Sequence, residues 1–468
     1  MALNFPCTAL FLLVTLLSIS ACEGYNLAIG TNSPQVLAPV EAADTQVMQQ
    51  QKIRSQPPEV LLGEVNTGSS PSLQRPVPKL LKPDISLDQF RIAILLPLSG
   101  PHGSLGRDML DAAQLALFQL ASEDLVLLPR DTRGTPEGVA EAISSAIVSG
   151  AQLIIGPLFA TSAAMAAPRA RSHGINMITF SGKLSVAGDG VFVMGFVPQT
   201  QVDRVVQFAG DKGLQRFAVA APSNDFGVEM VDALMLATQR ADIALTQVAY
   251  YDVNAGNLEQ VIKELAQFDV RRSALEEQRA MLRERGDSVS LNALRKLEGL
   301  DTIGDVDFDA ILLPTTGDNL MQVAPLLPYY DIDPARVRLL GTREWEVEGI
   351  GAEPALIGAW FAAPPPQARV DFEAQFAEAY GHKPARLATL AFDAAALSVR
   401  LAQQSTAAQT APFTSEVLTS PNGFAGIDGI FRFLPSGQVE RGFSILEIQR
   451  HGFRVVDPAP DSFPPLTN

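Results

Sequence analysis

Cysteine is nearly missing from this 468-residue chain, which has only Cys7 and Cys22. Cys7 lies in an apolar N-terminal run of the kind that export removes. One thiol then remains, which excludes an intramolecular disulfide and a thiolate metal cluster. Histidine is scarce too: His102, His173, His382 and His451 fall in unrelated segments without metal-ligand spacing. Neither G-x-S-x-G nor G-x-x-x-x-G-K-[ST] occurs, so the usual signatures of elbow hydrolases and P-loop enzymes are missing. The acidic alternations Asp307/Asp309 and Glu344/Glu346/Glu348 read as solvated strand or loop positions. No catalysis, metal or cofactor is expected. Basic residues are in the minority, 35 against 51 acidic ones, for a net charge of −16. That argues against nucleic acid, whose phosphates want a basic face, and against lying flat on anionic lipid. Beyond residue 21 no apolar run reaches the roughly 20 residues needed to span a bilayer. Apolar residues nevertheless make up 47 % of the chain, ample for one or two cores.

The N-terminus carries the most specific signal. Phe11–Ile19 is an h-region, and the small pair Ser20-Ala21 precedes Cys22 directly. This arrangement resembles a bacterial lipobox and implies a signal peptide over 1–21 and lipid on Cys22. The resemblance places the protein on the periplasmic side of an envelope membrane, held by acyl chains alone. Glu23 is not the Asp usual for inner-membrane retention, which favours the outer membrane. From 22 to 90 the composition changes, with prolines at 34, 39, 57, 58, 71, 76, 78 and 83. No period of 2 or 3.6 persists there, so the stretch reads as a disordered tether. Fully extended it would reach about 220 Å. It could also be a simple spacer.

From Arg91 short apolar runs alternate with amphipathic stretches. Strands are expected at Arg91–Pro97, Leu125–Leu128, Gln152–Ile155, Asn176–Thr179, Arg216–Ala221, Leu245–Tyr251, Phe308–Leu313 and Val337–Gly341. Helices are expected at Gly106–Leu120, Pro136–Val148, Ser162–Ser172 and Gly227–Arg240. This order predicts an α/β fold with parallel sheets, in two lobes, from 91 to 458, with 459–468 as a tail. Leu96-Pro97-Leu98-Ser99-Gly100, Ile154-Ile155-Gly156-Pro157 and Asn224-Asp225-Phe226-Gly227 resemble type I periplasmic binding proteins of the leucine/isoleucine/valine-binding class. The resemblance implies a ligand cleft between the lobes, at the carboxyl ends of the strands. Its candidate residues are Ser99, Thr161, Ser162, Ser181, Lys183, Asn224, Asp225 and Trp345. Where that class commonly holds an amino acid, this chain offers Ala160 beside Thr161 and Ser162, and Lys183 in place of a short Thr. Lys183 would repel an ammonium group and attract an anion, or lie ion-paired at the cleft rim.

Three C-terminal pieces point further. They are Leu340-Gly341-Thr342 with Trp345 and Gly358–Pro364; Tyr380–Ala388 with Ala391–Ala394; and Gly423-Phe424 through Gly429–Phe433 to Phe443–Gln449. Together they resemble the penicillin-binding-protein activator lipoproteins of Gram-negative bacteria, although the N-terminal helical-repeat domain of that family is missing. The resemblance implies a peptidoglycan synthase as partner. Residues 268–302 read as a charged helical hairpin broken at Gly286-Asp287-Ser288. Its arginines Arg271, Arg272, Arg279 and Arg283 are candidates for docking a protein, or form a solvated face. The leading expectation is a non-enzymatic synthase activator. The alternative is a solute receptor of an ABC importer for an amino acid or related anion.

Overall fold

The computed structural model describes residues 89–465, apart from 121–124, 253 and 316. The signal peptide, Cys22 and the tether therefore lie outside the described residues.

The first lobe opens with β1 (Phe90–Leu96), α1 (Gly103–Gln119), β2 (Leu125–Asp131) and α2 (Pro136–Val148). It continues through β3 (Leu153–Ile155), α3 (Ala160–Ser172), β4 (Asn176–Thr179) and β5 (Val191–Val193). These strands form one parallel sheet in the order β2-β1-β3-β4-β5. Ile92 to Leu96 of β1 are buried on both faces, as the unbroken apolar run requires. α2 starts sharply because Thr135 accepts from the Gly138 N–H at 3.1 Å and Pro136 fits the first turn. α1 lies so close to the end of β1 that a Cβ on Gly106 would stand 2.1 Å from the Pro97 carbonyl oxygen.

The second lobe holds α4 (Pro198–Asp211), β6 (Arg216–Pro222), α5 (Asp225–Ala241), β7 (Ala244–Tyr251) and α6 (Leu258–Leu265). α7 (Phe268–Arg285) and α8 (Ser288–Leu297) form the hairpin. After it come β8 (Ala310–Leu312), α9 (Gly317–Val323), α10 (Leu326–Tyr329), β9 (Arg338–Thr342) and β10 (Trp360–Ala363). The chain then returns to the first lobe with α11 (Pro366–Tyr380), α12 (Ala388–Ala408) and α13 (Ser415–Leu418). A three-stranded antiparallel sheet of β11 (Phe424–Gly426), β12 (Gly429–Phe433) and β13 (Val439–Arg441) follows. β14 (Ser444–Ile448) and β15 (Phe453–Asp457) complete the second sheet, ordered β15-β14-β10-β9-β8-β6-β7, with β14 and β15 antiparallel.

Two α/β lobes with parallel sheets are thus present. The chain passes between them at Met194–Val197, Pro364–Pro365 and Gly442–Phe443. α11 belongs to lobe 1 because Phe372 and Phe376 pack with Ala112, Leu115 and Ala388. The small sheet joins the same lobe, with Phe433 5.3 Å from the Phe192 ring. β5, β10, β15, the helices α4, α6 and α9 to α13, and the small sheet were not among the expected elements. In α4 the apolar stripe Val202, Val205, Val206 and Ala209 is broken into by Gln201, which is buried as well.

Candidate functional site

The carboxyl ends of the parallel strands in both lobes carry the loops that the sequence singles out. In lobe 1, the Ser99 hydroxyl donates to Asp131 at 2.6 Å. Asp131 also accepts from the Leu98 and Arg133 N–H groups at 2.9 and 2.8 Å. Burial pushes its carboxyl up, but these hydrogen bonds prevail and hold it below the usual carboxylate range. Ser99 is thereby committed to shaping its loop. Thr161 is exposed and Ser162 buried in the first turn of α3. Ser181 is buried, and its hydroxyl accepts from the Lys183 N–H at 3.1 Å.

In lobe 2, Asn224 caps α5 by accepting from the Gly227 N–H at 2.9 Å, and Asp225 begins that helix. One turn on, Glu229 meets Lys183 of lobe 1 at 3.0 Å. The hydrogen bond and the charge of Glu229 raise the Lys183 ammonium above its ordinary value. Lys183 is therefore ion-paired at the rim, the second of its two expected states, and its charge does not exclude an ammonium ligand. Around this pair lies a cavity of about 370 Å³, lined from lobe 1 by Gly182–Ser185, from the connector by Val197, and from lobe 2 by Pro198, Gln199, Glu229, Asp232 and Ala233.

Trp345 requires a correction. It is fully buried in lobe 2, donates from Nε1 to the Leu313 carbonyl at 3.2 Å, and packs on Phe361. A Cβ on Gly341 would fall 2.2 Å from its ring. Trp345 is core, so it does not line the cleft. The docking arginines also divide. Arg271 is buried at the hairpin base, donating to Gly304 O at 2.7 Å and to Asp331 at 2.8 Å. Arg279 donates to Leu297 O and Leu300 O, tying α7 to the end of α8. Only Arg272 and Arg283 are exposed. The hairpin itself is as expected: Gly286 ends α7 with φ +62, and Asp287 caps α8 by accepting from the Ser290 N–H.

The sequence reading missed a buried ion network beside the connectors. Glu346, expected in solvent, has a side chain only 2 % exposed. It lies 2.8 Å from Arg369 and 3.1 Å from Arg386, both on lobe 1. Arg386 continues to Asp428 at 3.1 Å, and Thr389 donates to the same carboxylate at 2.6 Å. Asp393 accepts the Ile427 N–H at 2.8 Å. Burial, and then the charge of Asp428, push the Asp393 carboxyl up to about 7. Asp428 itself is held low: burial opposes ionisation, but Arg386 and Arg441 outweigh it. Arg441 donates to Met194 O at 2.9 Å. The Phe196 ring lies among Arg343, Arg386 and Arg441, 4.1, 5.5 and 5.1 Å from the three guanidinium carbons. One signal could have found this network, namely lone acids inside apolar runs, as in Leu390–Leu397 around Asp393.

Among the described residues, no group of three or more His, Cys, Asp or Glu side chains could hold a metal ion, and no helix is long and apolar enough to cross a membrane.

The family model described as "Periplasmic binding protein" matches residues 89–452. An uncharacterized protein of Rickettsia prowazekii is 23 % identical over 179 residues, 38 % of this chain and 47 % of the relative. The match thus spans about half of that relative. Among solved structures, a putative branched-chain amino acid ABC transporter protein from Rhodospirillum rubrum has a TM-score of 0.62 and 16 % identity. It aligns with 79 % of this chain and 100 % of its own. An ABC transporter substrate-binding protein from Desulfitobacterium hafniense in complex with Leu gives a TM-score of 0.53 at 17 % identity, over 79 % and 100 % of the two chains. A solute-binding protein from Rhodopseudomonas palustris BisB5 with 3,4-dihydroxybenzoic acid gives 0.53 at 12 % identity, over 81 % and 98 %. At these identities the likeness is one of fold.

Proposed function

Since the chain belongs to the periplasmic binding protein family, we propose that it holds a small organic solute between its lobes, as a non-catalytic receptor of the cell envelope. The observation that carries this reading is the cavity spanned by Lys183 and Glu229, to which both lobes contribute walls. Its size suits a small solute, since ligand pockets run from about 300 to 1,000 Å³. Because Glu229 neutralises Lys183, an amino acid fits the charge pattern as well as an anion does. The solved relatives with bound Leu or 3,4-dihydroxybenzoic acid support the same solute class. Cys22 is the proposed lipid anchor, with the outer membrane as its site.

A thermal-shift screen of amino acids and small aromatic acids on the full chain tests the reading. A solute at 100 times its Kd stabilises by about 2.7 kcal/mol, and a dose-dependent rise in Tm is expected. No shift across the panel would count against it.

One observation favours a second reading, the synthase activator. The α7–α8 hairpin leaves Val270, Met281, Val289 and Leu291 exposed beside Arg272 and Arg283. A mixed apolar and basic surface of this kind suits a protein partner.

A further inference from the structure

Two arginines of lobe 1, Arg369 on α11 and Arg386 just before α12, reach toward lobe 2 with their guanidinium groups largely buried. Arg369 has a second carboxylate, Glu373, at 3.6 Å, and Arg386 has Asp428. Both converge on a single group of the other lobe, the Glu346 carboxylate, at 2.8 and 3.1 Å. Glu346 follows β9 by four residues, on a short turn whose Trp345 is packed in the lobe 2 core. It is therefore rigidly carried by lobe 2. The Arg369 and Arg386 groups are as firmly carried by lobe 1: Tyr380, at the end of α11, donates to Asp111 O, and Ala385 N–H donates to Asp108 on α1.

We infer that Arg369 and Arg386 form a carboxylate-binding site on lobe 1, which the protein fills with its own Glu346, clasping the lobes together without any solute in the cleft. Opening the lobes would exchange two charge-assisted contacts of the Glu346 carboxylate for water, while Arg369 keeps Glu373 and Arg386 keeps Asp428. The Lys183–Glu229 pair, both partners more than a third exposed, contributes far less to the same closure. A solute entering the cleft would then meet lobes already closed, so that binding would order little more of the chain.

The test uses the full chain with no solute, so its failure is distinct from failure of the receptor reading. Spin labels placed on Cys substitutions at Thr161 in lobe 1 and Val228 in lobe 2, both exposed, report the lobe separation. In Glu346→Ala the distance should lengthen and its distribution broaden, and Tm should fall by roughly 5–10 °C. Acetate, against chloride at equal ionic strength, should raise the Tm of Glu346→Ala but not that of wild type. It should leave the lobe distance long, because free acetate fills the site without joining the lobes. An unchanged distance in Glu346→Ala overturns the clasp, and the absence of an acetate-specific Tm gain overturns the anion site. Should Glu346→Ala not fold, Glu346→Leu keeps much of the volume, cannot accept from either arginine, and gives the same distance test.

Discussion

Asp393 sits on α12 with the Asp428 carboxylate nearby and no exposed surface of consequence. Its carboxyl is raised in the fold, whereas in the unfolded chain it titrates near its ordinary value of about 3.9. The folded state therefore holds this proton more tightly than the unfolded state. The stability it contributes is present at low pH and is lost as pH rises from about 4 to about 7. Asp393→Asn keeps the acceptor for Ile427 N–H and cannot ionise. Chemical denaturation across that window should show the variant gaining on wild type as pH rises, by on the order of a few kcal/mol at pH 7. Parallel pH profiles would show that Asp393 is ionised in the fold. The sequence places Asp393 inside an apolar helical run but says nothing of its partners, because Asp428 and Arg441 arrive from 35 and 48 residues away. Trp345 shows the opposite failure: the resemblance set it among the cleft residues, while the glycine at 341 leaves the room that lets it turn inward.

Among the elements, most strands of the parallel sheets and the helices α1, α2, α3 and α5 were readable, since buried strands and amphipathic helices announce themselves by period. α2 and β4 match their expected bounds, and the break between α7 and α8 falls at the expected glycine. The third sheet was not readable. Its strands are three to five residues long, and their stability comes from packing on lobe 1, as the contact of Phe433 with Phe192 illustrates. The hairpin allows a prediction at this scale. Its base is secured by Arg271, so replacing residues 276–298 with a short Gly-Ser loop should leave Tm within a few degrees of wild type. If the activator reading holds, the same variant should lose capture of a peptidoglycan synthase in a pull-down. Capture at wild-type level would remove the hairpin from that role.

For the whole molecule, two lobes joined by three passes of the chain follow from a chain too long for one core. The organisation of the cleft is where the sequence left two readings open. Lys183 read either as a cation facing the ligand or as ion-paired at the rim, and Glu229 across the gap decides for the second. That pairing depends on how the lobes meet, which no local pattern encodes. Nor does local sequence encode Glu346 meeting Arg369 and Arg386, since the partners lie on different lobes. We propose that the interlobe cavity holds a solute. Its most direct test is calorimetric titration of the best thermal-shift hit into the full chain and into Ser185→Trp, which fills the cavity from an exposed wall position. One site per chain is expected in the wild type, with at least a tenfold weaker affinity in Ser185→Trp at unchanged Tm. Equal binding by both proteins would contradict it.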